Sequence, residues 1–287
     1  MNVNYISLSS GRDTKLKRTW QKRMALLLFF VMFSFISANA QVGLTASGGT
    51  PTGSFTTLKG AFDAINAGTH TGTITISITG NTTETATAVL NASGSGSASY
   101  TSIAIAPSGG AARTISGAIT AGSPLIDLNG ADNVTIDGLN SGGDALTISN
   151  TTASATSGTS TIRFIGGATS NTITRCSVLG SFSAAVGTNG GNIFFSTDAN
   201  TANGNDNNTV SFCDIGPAGA NLPTKGIYMN GSTTTTAINN SGNTFNGNNI
   251  FNYFGAAVSS AGIYIAGGCT DNNITNNKFY QTATRTQ

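Results

Sequence analysis

Two short patterns alternate along residues 126–279 of this 287-residue chain, and their alternation constrains the fold more than any other feature. The first pattern is Ile, any residue, then a large apolar residue, with copies at 126–128, 162–164, 193–195, 227–229 and 263–265. The second is N/D-x-apolar-x-x-N/C/D-x-apolar, with copies beginning at Asp132, Asn171, Asn208, Asn243 and Asn272. Copies of the second pattern start 39, 37, 35 and 29 residues apart, periods typical of a solenoid or a propeller.

The residue types favour a β-solenoid over the other repeat architectures. A propeller blade needs four alternating strands, and helical repeats need i, i+3, i+4 stripes that the Thr, Asn and Gly content opposes. Charged residues make up only 8% of the chain, whereas disorder usually accompanies high charge and few β-branched residues. We therefore predict an all-β chain whose coils, about seven or eight in number, stack in parallel with strands about 4.8 Å apart.

Stacking would align equivalent residues of successive coils in columns. We expect two apolar columns and a bend column between them. They are Val134/Ile173/Val210/Phe245/Ile274, Leu139/Val178/Ile215/Ile250/Phe279 and, at the bend, Asp137/Cys176/Cys213/Asn248/Asn277. Asn tolerates the left-handed backbone that a sharp bend needs, and stacked Asn amides can hydrogen-bond along a column.

The two ends of the repeat region differ. Residues 55–66 place Phe55, Leu58, Phe62 and Ile65 on one helical face, with Gly68 as a stop, which predicts a short capping helix at the N-terminal end. After Phe279 the sequence shows no polar cap, so we expect the solenoid domain, residues 41–287, to be truncated at its C-terminal end.

Residues 1–40 have the order of a secretory signal peptide. A basic region (12–23) precedes the apolar run 24–36, which is too short for a membrane span of about 20 residues, and Ala38-Asn39-Ala40 follows. We expect cleavage after Ala40 and a secreted or outer-surface location, with no further membrane span. The leader holds six of the 13 basic residues and one acid, so the mature chain keeps seven basic and ten acidic groups. No basic stripe remains for nucleic acid.

The N-x-I-x-x-N-x-I coils resemble the pectin-lyase-like, right-handed parallel β-helix superfamily. Together with the leader and the Gly, Thr and Ser content, they also resemble the long β-helix proteins that Bacteroidetes export. The resemblance covers roughly residues 55–280 and implies a fold, but it says little about function.

The resemblance raises the hypothesis of a polysaccharide lyase or glycoside hydrolase. Weak catalytic candidates are Asp132, Asp137 and Arg175, because glycosidic cleavage needs two carboxylates about 5–10 Å apart, or acids with a base. Turn capping and surface solvation explain these residues as well. Arg163 and Lys225 lie in the repeat without an acidic trio. The lone histidine, His70, lies outside the repeat and lacks an orienting partner.

Two further features leave alternatives open. Asp198, Asn200 and Asp206 lie in an oxygen-rich loop that could bind calcium weakly or be only a polar loop. Cys176 and Cys213 fall at one repeat position in consecutive coils, so they are either buried thiols or a disulfide.

The non-catalytic hypothesis rests on aromatic residues. Phe194, Tyr228 and Tyr264 occupy equivalent positions between apolar neighbours, so strand alternation predicts an exposed aromatic column that could stack on sugar rings or dock a partner. The alternative is packing between coils beneath loops. We expect a structural, adhesive or glycan-binding stalk whose partner is an extracellular polysaccharide or another surface molecule.

Overall fold

The computed structural model describes Met1, residues 40–197 and residues 202–285. The predicted leader and the loop residues Asp198 and Asn200 lie outside the described residues. The chain divides into two units, Met1–Asn39 and Ala40–Gln287, and the elements below belong to the second.

Three sheets, here called A, B and C, build the fold, and their strands pair in parallel except at the N-terminal end of sheet A. Sheet A contains β1 (Val42–Gly49), β2 (Thr52–Phe55), β3 (His70–Ile78), β6 (Tyr100–Pro107), β9 (Val134–Asp137), β12 (Thr172–Thr174), β15 (Thr209–Ser211), β19 (Thr244–Asn246) and β23 (Asn273–Thr275). Sheet B contains β4 (Thr82–Glu84), β7 (Ala112–Gly117), β10 (Ala145–Asn150), β13 (Cys176–Gly180), β16 (Asp214–Pro217), β20 (Asn249–Phe251) and β24 (Lys278–Tyr280). Sheet C contains β5 (Ala88–Asn91), β8 (Pro124–Asn129), β11 (Ser160–Ile165), β14 (Gly191–Phe195), β17 (Lys225–Met229) and β21 (Ala261–Ile265).

The chain visits sheets A, B and C in turn, so each A–B–C triplet is one turn of a β-solenoid. Six such turns are complete, and β23 and β24 begin another. A two-stranded pair, β18 (Asn240–Ser241) with β22 (Cys269–Thr270), and a 3₁₀ turn (Thr236–Ile238) complete the described elements. The predicted all-β solenoid is confirmed, with about six turns instead of seven or eight.

The N-terminal end is closed by a helix and a hairpin. Helix α1 (Leu58–Asn66) buries Leu58, Ala61, Phe62 and Ile65 and packs against β5 of the first turn. Strand β1 pairs antiparallel with both β2 and β3, an extension of sheet A that the repeat pattern did not predict. The predicted capping helix is therefore present, although it starts at Leu58 and Phe55 ends the preceding strand. Among the described residues, no helix is long and apolar enough to cross a membrane.

The apolar columns run as predicted from the second repeat copy onward. One column in sheet A contains Ile76, Ile105, Ile136, Ile173, Val210, Phe245 and Ile274. One column in sheet B contains Ile115, Ile148, Val178, Ile215, Ile250 and Phe279. Most of these side chains are fully buried, which makes them the core of the solenoid.

The first repeat copy was aligned incorrectly from the sequence. Ile136, not Val134, pairs with Ile173, and Ile148 takes the place predicted for Leu139. Val134 pairs with Ile103, two residues before the position that faces Ile173. Leu139 is displaced by a longer connection between β9 and β10, where residues 138–144 form a turn closed by a bridge from Ser141 to Asp144. In the next turn a single residue, Arg175, makes the same connection.

Asparagine side chains line the bend before sheet A and bond turn to turn. Asn208 Oδ1 accepts from Asn171 N at 3.0 Å and from Asn171 Nδ2 at 2.9 Å, and Asn243 and Asn272 repeat this arrangement. The Nδ2 groups of Asn171, Asn208 and Asn243 each also donate to a backbone carbonyl. These residues form what we call the asparagine ladder, which satisfies buried polar groups that would otherwise be costly. Asn248 and Asn277 begin a second, shorter ladder at the predicted bend column.

Candidate functional site

The three candidate ligand-binding side chains lie in one outward-facing column of sheet C, together with Asp127 and Arg163. Strand register places Asp127, Arg163, Phe194, Tyr228 and Tyr264 on successive turns. Asp127 and Arg163 form a bidentate ion pair, with Nε–Oδ1 at 2.9 Å and Nη2–Oδ2 at 2.6 Å. Asp127 is almost fully buried, so water and salt screen the attraction within this pair less than they screen an exposed ion pair.

The three aromatic residues form the predicted column but not the predicted exposed surface. The Phe194 and Tyr228 ring centroids lie 5.5 Å apart, and Tyr228 stacks on Tyr264 at 5.6 Å with the ring planes 3° apart. Phe194 and Tyr228 are each only 2% exposed, whereas Tyr264 is half-buried. The expectation of exposure is therefore wrong for Phe194 and Tyr228.

The loop of residues 181–190, between β13 and β14, accounts for part of this burial. The Tyr228 hydroxyl lies 3.2 Å from Asn189 Oδ1 and 3.5 Å from the Gly187 carbonyl oxygen. Asn230 Nδ2 donates to the same Asn189 oxygen at 3.1 Å. Sequence patterns align most of the strands, but they do not indicate where a connecting loop folds back.

Lys225 binds the backbone of the same loop, residues 181–190. Its ammonium donates to the Ala185 and Val186 carbonyl oxygens, both at 3.2 Å, and to the Thr188 carbonyl oxygen. It also lies 4.6 Å from the Phe182 ring centroid and 4.4 Å from the Tyr228 ring centroid. The side chain is fully buried, and its partners are backbone carbonyl oxygens and aromatic rings instead of acidic side chains.

We call the Lys225 ammonium with its three carbonyl and two ring partners the Lys225 cage. Burial and these partners act in opposite directions on the pKa of Lys225. Desolvation lowers the pKa of Lys225 from 10.5 to about 7. The three carbonyl oxygens and two ring faces oppose that effect, because each interacts better with an ammonium than with a neutral amine. Burial, followed by the charge of Tyr264, raises the pKa of Tyr228, so its hydroxyl stays protonated at neutral pH.

The predicted catalytic residues are only partly brought together. Arg175 Nε donates to Asp137 Oδ1 at 2.9 Å, and Arg175 Nη2 donates to Asp137 Oδ2. Asp132 is engaged elsewhere, because its Oδ1 accepts from Thr169 N at 2.7 Å and from Thr169 Oγ1 at 2.8 Å. Asp137 and Asp132 thus bond to different residues of the next turn, Arg175 and Thr169.

Of the three candidate calcium ligands, Asp206 alone lies in the described part of the chain. Asp206 Oδ1 accepts from Ser241 N at 2.7 Å and from Ser241 Oγ at 3.0 Å, an arrangement that repeats that of Asp132 with Thr169. Among the described residues, no three His, Cys, Asp or Glu side chains group as metal ligands.

The cysteines are free thiols. Cys176 and Cys213 are buried in adjacent turns, as their shared repeat position predicted. Each Sγ lies near backbone carbonyl oxygens, at 3.2 Å from Thr174 O and 3.3 Å from Ser211 O respectively. Burial raises the pKa of Cys213 to about 12 and that of Cys176 well above its usual value, so neither is a thiolate at neutral pH.

Two ionisable side chains at the N-terminal end have structural partners. Glu84 accepts from Leu58 N at 2.8 Å and from Lys59 N at 3.0 Å, which places a buried carboxylate at the start of helix α1. Buried His70 Nδ1 lies 2.6 Å from the Thr50 carbonyl oxygen. Glu84 is the chain's one glutamate, and its isolation was the available sequence signal for a special role.

Comparisons with known proteins add little to this description. No protein-family model matches the chain, and no curated protein matches it. A search of solved structures finds a likeness to ORF18 of Geobacillus virus E2, at 13% identity and a TM-score of 0.24, over 78% of this chain and 48% of that one. The chain thus spans about half the length of that protein, and at this TM-score the likeness carries no argument.

Proposed function

We propose that this chain is a secreted or cell-surface protein that serves as a non-catalytic structural or adhesive stalk and contacts extracellular glycans. The observation that carries the proposal is the asparagine ladder, which ties Asn171, Asn208, Asn243 and Asn272 across four turns. Fully satisfied buried networks rigidify a structure, and stiffness is what a stalk requires.

The side chains with acid–base chemistry support the same proposal. Asp127, Asp132, Asp137 and Asp206 each bond a neighbouring turn, and Glu84 bonds the start of helix α1. These contacts use the carboxylates as connectors between coils. Glycosidic cleavage would instead need two carboxylates facing one bond across a groove.

The location is supported by the boundary between the two units. The solenoid unit begins at Ala40, next to the predicted cleavage site, and β1 begins at Val42. The leader pattern and the Gly-, Thr- and Ser-rich surface fit an exported protein.

The competing function is polysaccharide lyase or hydrolase activity centred on Asp132, Asp137 and Arg175. The test is turnover of a panel of polyuronides and neutral polysaccharides by the wild type, Asp132→Ala and Asp137→Ala. We expect no turnover by any of the three. Turnover by the wild type that either substitution abolishes, with the circular dichroism spectrum unchanged, would replace the stalk by an enzyme.

A further inference from the structure

The outer face of sheet B and the bend that leads into it from sheet A carry aromatic side chains that do not belong to the column on sheet C. Phe212 and Tyr280 are 59% and 42% exposed, and Phe251 is half-buried. Phe251 and Tyr280 stack at 5.7 Å between centroids, with their planes 17° apart. We call Phe212, Phe251 and Tyr280, with the polar residues between them, the sheet B face.

Phe212 is unfavourable for folding on two counts. It has a φ of 55°, a left-handed conformation that is an outlier for a bulky side chain, and more than half of its surface faces water. At the equivalent bend the preceding turn carries Arg175, also at a φ of 55°, which pairs with Asp137, and the following turns carry Gly247 and Asn276, the residue types that best tolerate this backbone. Because neither burial nor backbone preference accounts for a phenylalanine here, the residue points to a function.

Glycines hold two of the rings against the backbone. A Cβ on Gly216 would lie 2.5 Å from Phe251 Cζ, and one on Gly247 would lie 2.8 Å from Phe212 Cδ1. Each ring therefore rests over a neighbouring turn at a place where any other residue would displace it. A ring backed by the sheet is pre-oriented, which reduces the entropy lost when a ligand stacks on it.

Polar side chains lie between the rings. Asp214, Asn249 and Lys278 follow one another in register on three turns, and Asn249 Nδ2 donates to Asp214 Oδ1 at 2.8 Å. The charges of Asp214 and Lys278 offset each other.

From this arrangement we propose that the sheet B face binds an uncharged oligosaccharide segment, with Phe212, Phe251 and Tyr280 stacking on sugar rings. Asp214, Asn249 and Lys278 supply acceptors and donors for the sugar hydroxyls. Aromatic rings beside a few polar groups, with no net charge, complement a polyol better than they complement an acidic polymer or a nucleic acid. The inference rests on the proposed glycan contact and places it on sheet B instead of on Tyr228 and Tyr264.

The test measures retardation of the full chain in native gels that contain soluble xylan, mannan, mixed-linkage β-glucan or polygalacturonate. The informative variant is Phe212→Asn, which introduces the residue type that the fold uses at position 276. We expect this variant to be at least as stable to heat as the wild type, yet to bind the neutral polymers about tenfold more weakly. Tyr280→Ala should weaken binding similarly, whereas Tyr264→Ala, the matched control on sheet C, should not.

Each of the other outcomes contradicts a specific part of the proposal. If the wild type binds a polysaccharide and Phe212→Asn binds it equally well, the sheet B site is wrong while the proposed function stands. If Tyr264→Ala alone loses binding, the site lies on sheet C. If the wild type binds none of the four polymers, both the glycan contact and this site fail. If Phe212→Asn changes only the mass in size-exclusion chromatography with light scattering, the occupant is a second copy of the chain.

Discussion

At the scale of single residues, the buried ionisable groups of this chain act as fasteners. Glu84 joins the first strand of sheet B to the start of helix α1, and Lys225 joins sheet C to the loop of residues 181–190. Each is a single charged residue at a place where several backbone groups converge. Neither lies in an apolar column, so each can be replaced without removing a column residue.

Replacing Glu84 with Gln should destabilise the N-terminal end. The amide keeps the volume but loses the charge that favours the helix start, and its NH₂ group would face the backbone N–H of Leu58 or Lys59. We expect the free energy of unfolding to fall by about 1–3 kcal/mol, measured in urea. Asp63→Asn, which removes an exposed partner of Lys59, is the control and should cost less than about 0.5 kcal/mol. Equal effects of the two substitutions would contradict this role.

Lys225 should make stability depend on pH above neutrality. Its pKa is about 7 in the folded chain and 10.5 when unfolded, so between these values the unfolded chain binds more protons. Stability should therefore rise with pH from about 7 to 10.5, by up to about 1.4 kcal/mol per pH unit.

The comparison with Lys225→Met isolates this lysine, because the Tyr and Cys groups titrate alike in both proteins. The measurement is the free energy of unfolding at pH 7 and pH 9.5 for each. We expect the difference between the two pH values to be more positive for the wild type. Identical pH dependence would mean that Lys225 keeps its ordinary pKa inside the cage.

At the scale of elements, the asparagine ladder joins turns that strand pairing alone joins only through short strands. Strands β12, β15, β19 and β23 have three residues each, so the bend side chains supply a large share of the hydrogen bonds between those turns. A substitution in the middle of the ladder leaves polar groups unpaired on both sides, whereas one at its exposed end leaves them on one side.

Asn208→Ala and Asn272→Ala form a matched pair for this point. The first removes the acceptor of Asn171 N and Nδ2 inside the protein and should cost about 3 kcal/mol. The second removes the equivalent acceptor of Asn243 where water can replace it, and should cost about 1 kcal/mol. Urea unfolding measures both, and a larger loss from Asn272→Ala would refute the argument.

The repeat pattern predicted the strands and their core residues better than it predicted the loops and buried charges around them. Period and residue type were enough to align Ile173, Val210 and Phe245, because inward side chains must follow one another when strands stack. The alignment failed at the first copy, where Val134 lies two residues before the position that pairs with Ile173 and a longer connection displaces Leu139. Burial of Tyr228 was missed because it depends on a loop that folds back, and Lys225 was missed because its partners are backbone carbonyls, which no sequence pattern marks.

At the scale of the whole molecule, stability should vary along the solenoid axis. Each turn contacts only its neighbours, so a core residue is stabilised by the turns on its two sides. Ile173 is fully buried between two turns, whereas Ile274 in the same column is 43% exposed.

Ile173→Ala and Ile274→Ala should therefore differ although they remove the same atoms from one column. We expect a loss of about 3–4 kcal/mol for the first and about 1 kcal/mol for the second. Hydrogen exchange followed by mass spectrometry should agree, with the slowest exchange in β12 and β15 and the fastest in β23 and β24. Uniform exchange along all turns would show that the solenoid unfolds as one cooperative unit.

The single-residue bend at Arg175 has a consequence for how such a chain can change length. One inserted residue there would reverse the alternation of β13 and send Val178 into water, whereas the longer connection at the same corner of the preceding turn, residues 138–144, leaves β10 in register with β13. The connections from sheet B to sheet C, at 85–87, 118–123, 151–159, 181–190, 218–224 and 252–260, already differ in length and all leave at one edge. New segments can be grafted along that edge without altering the bend at Arg175.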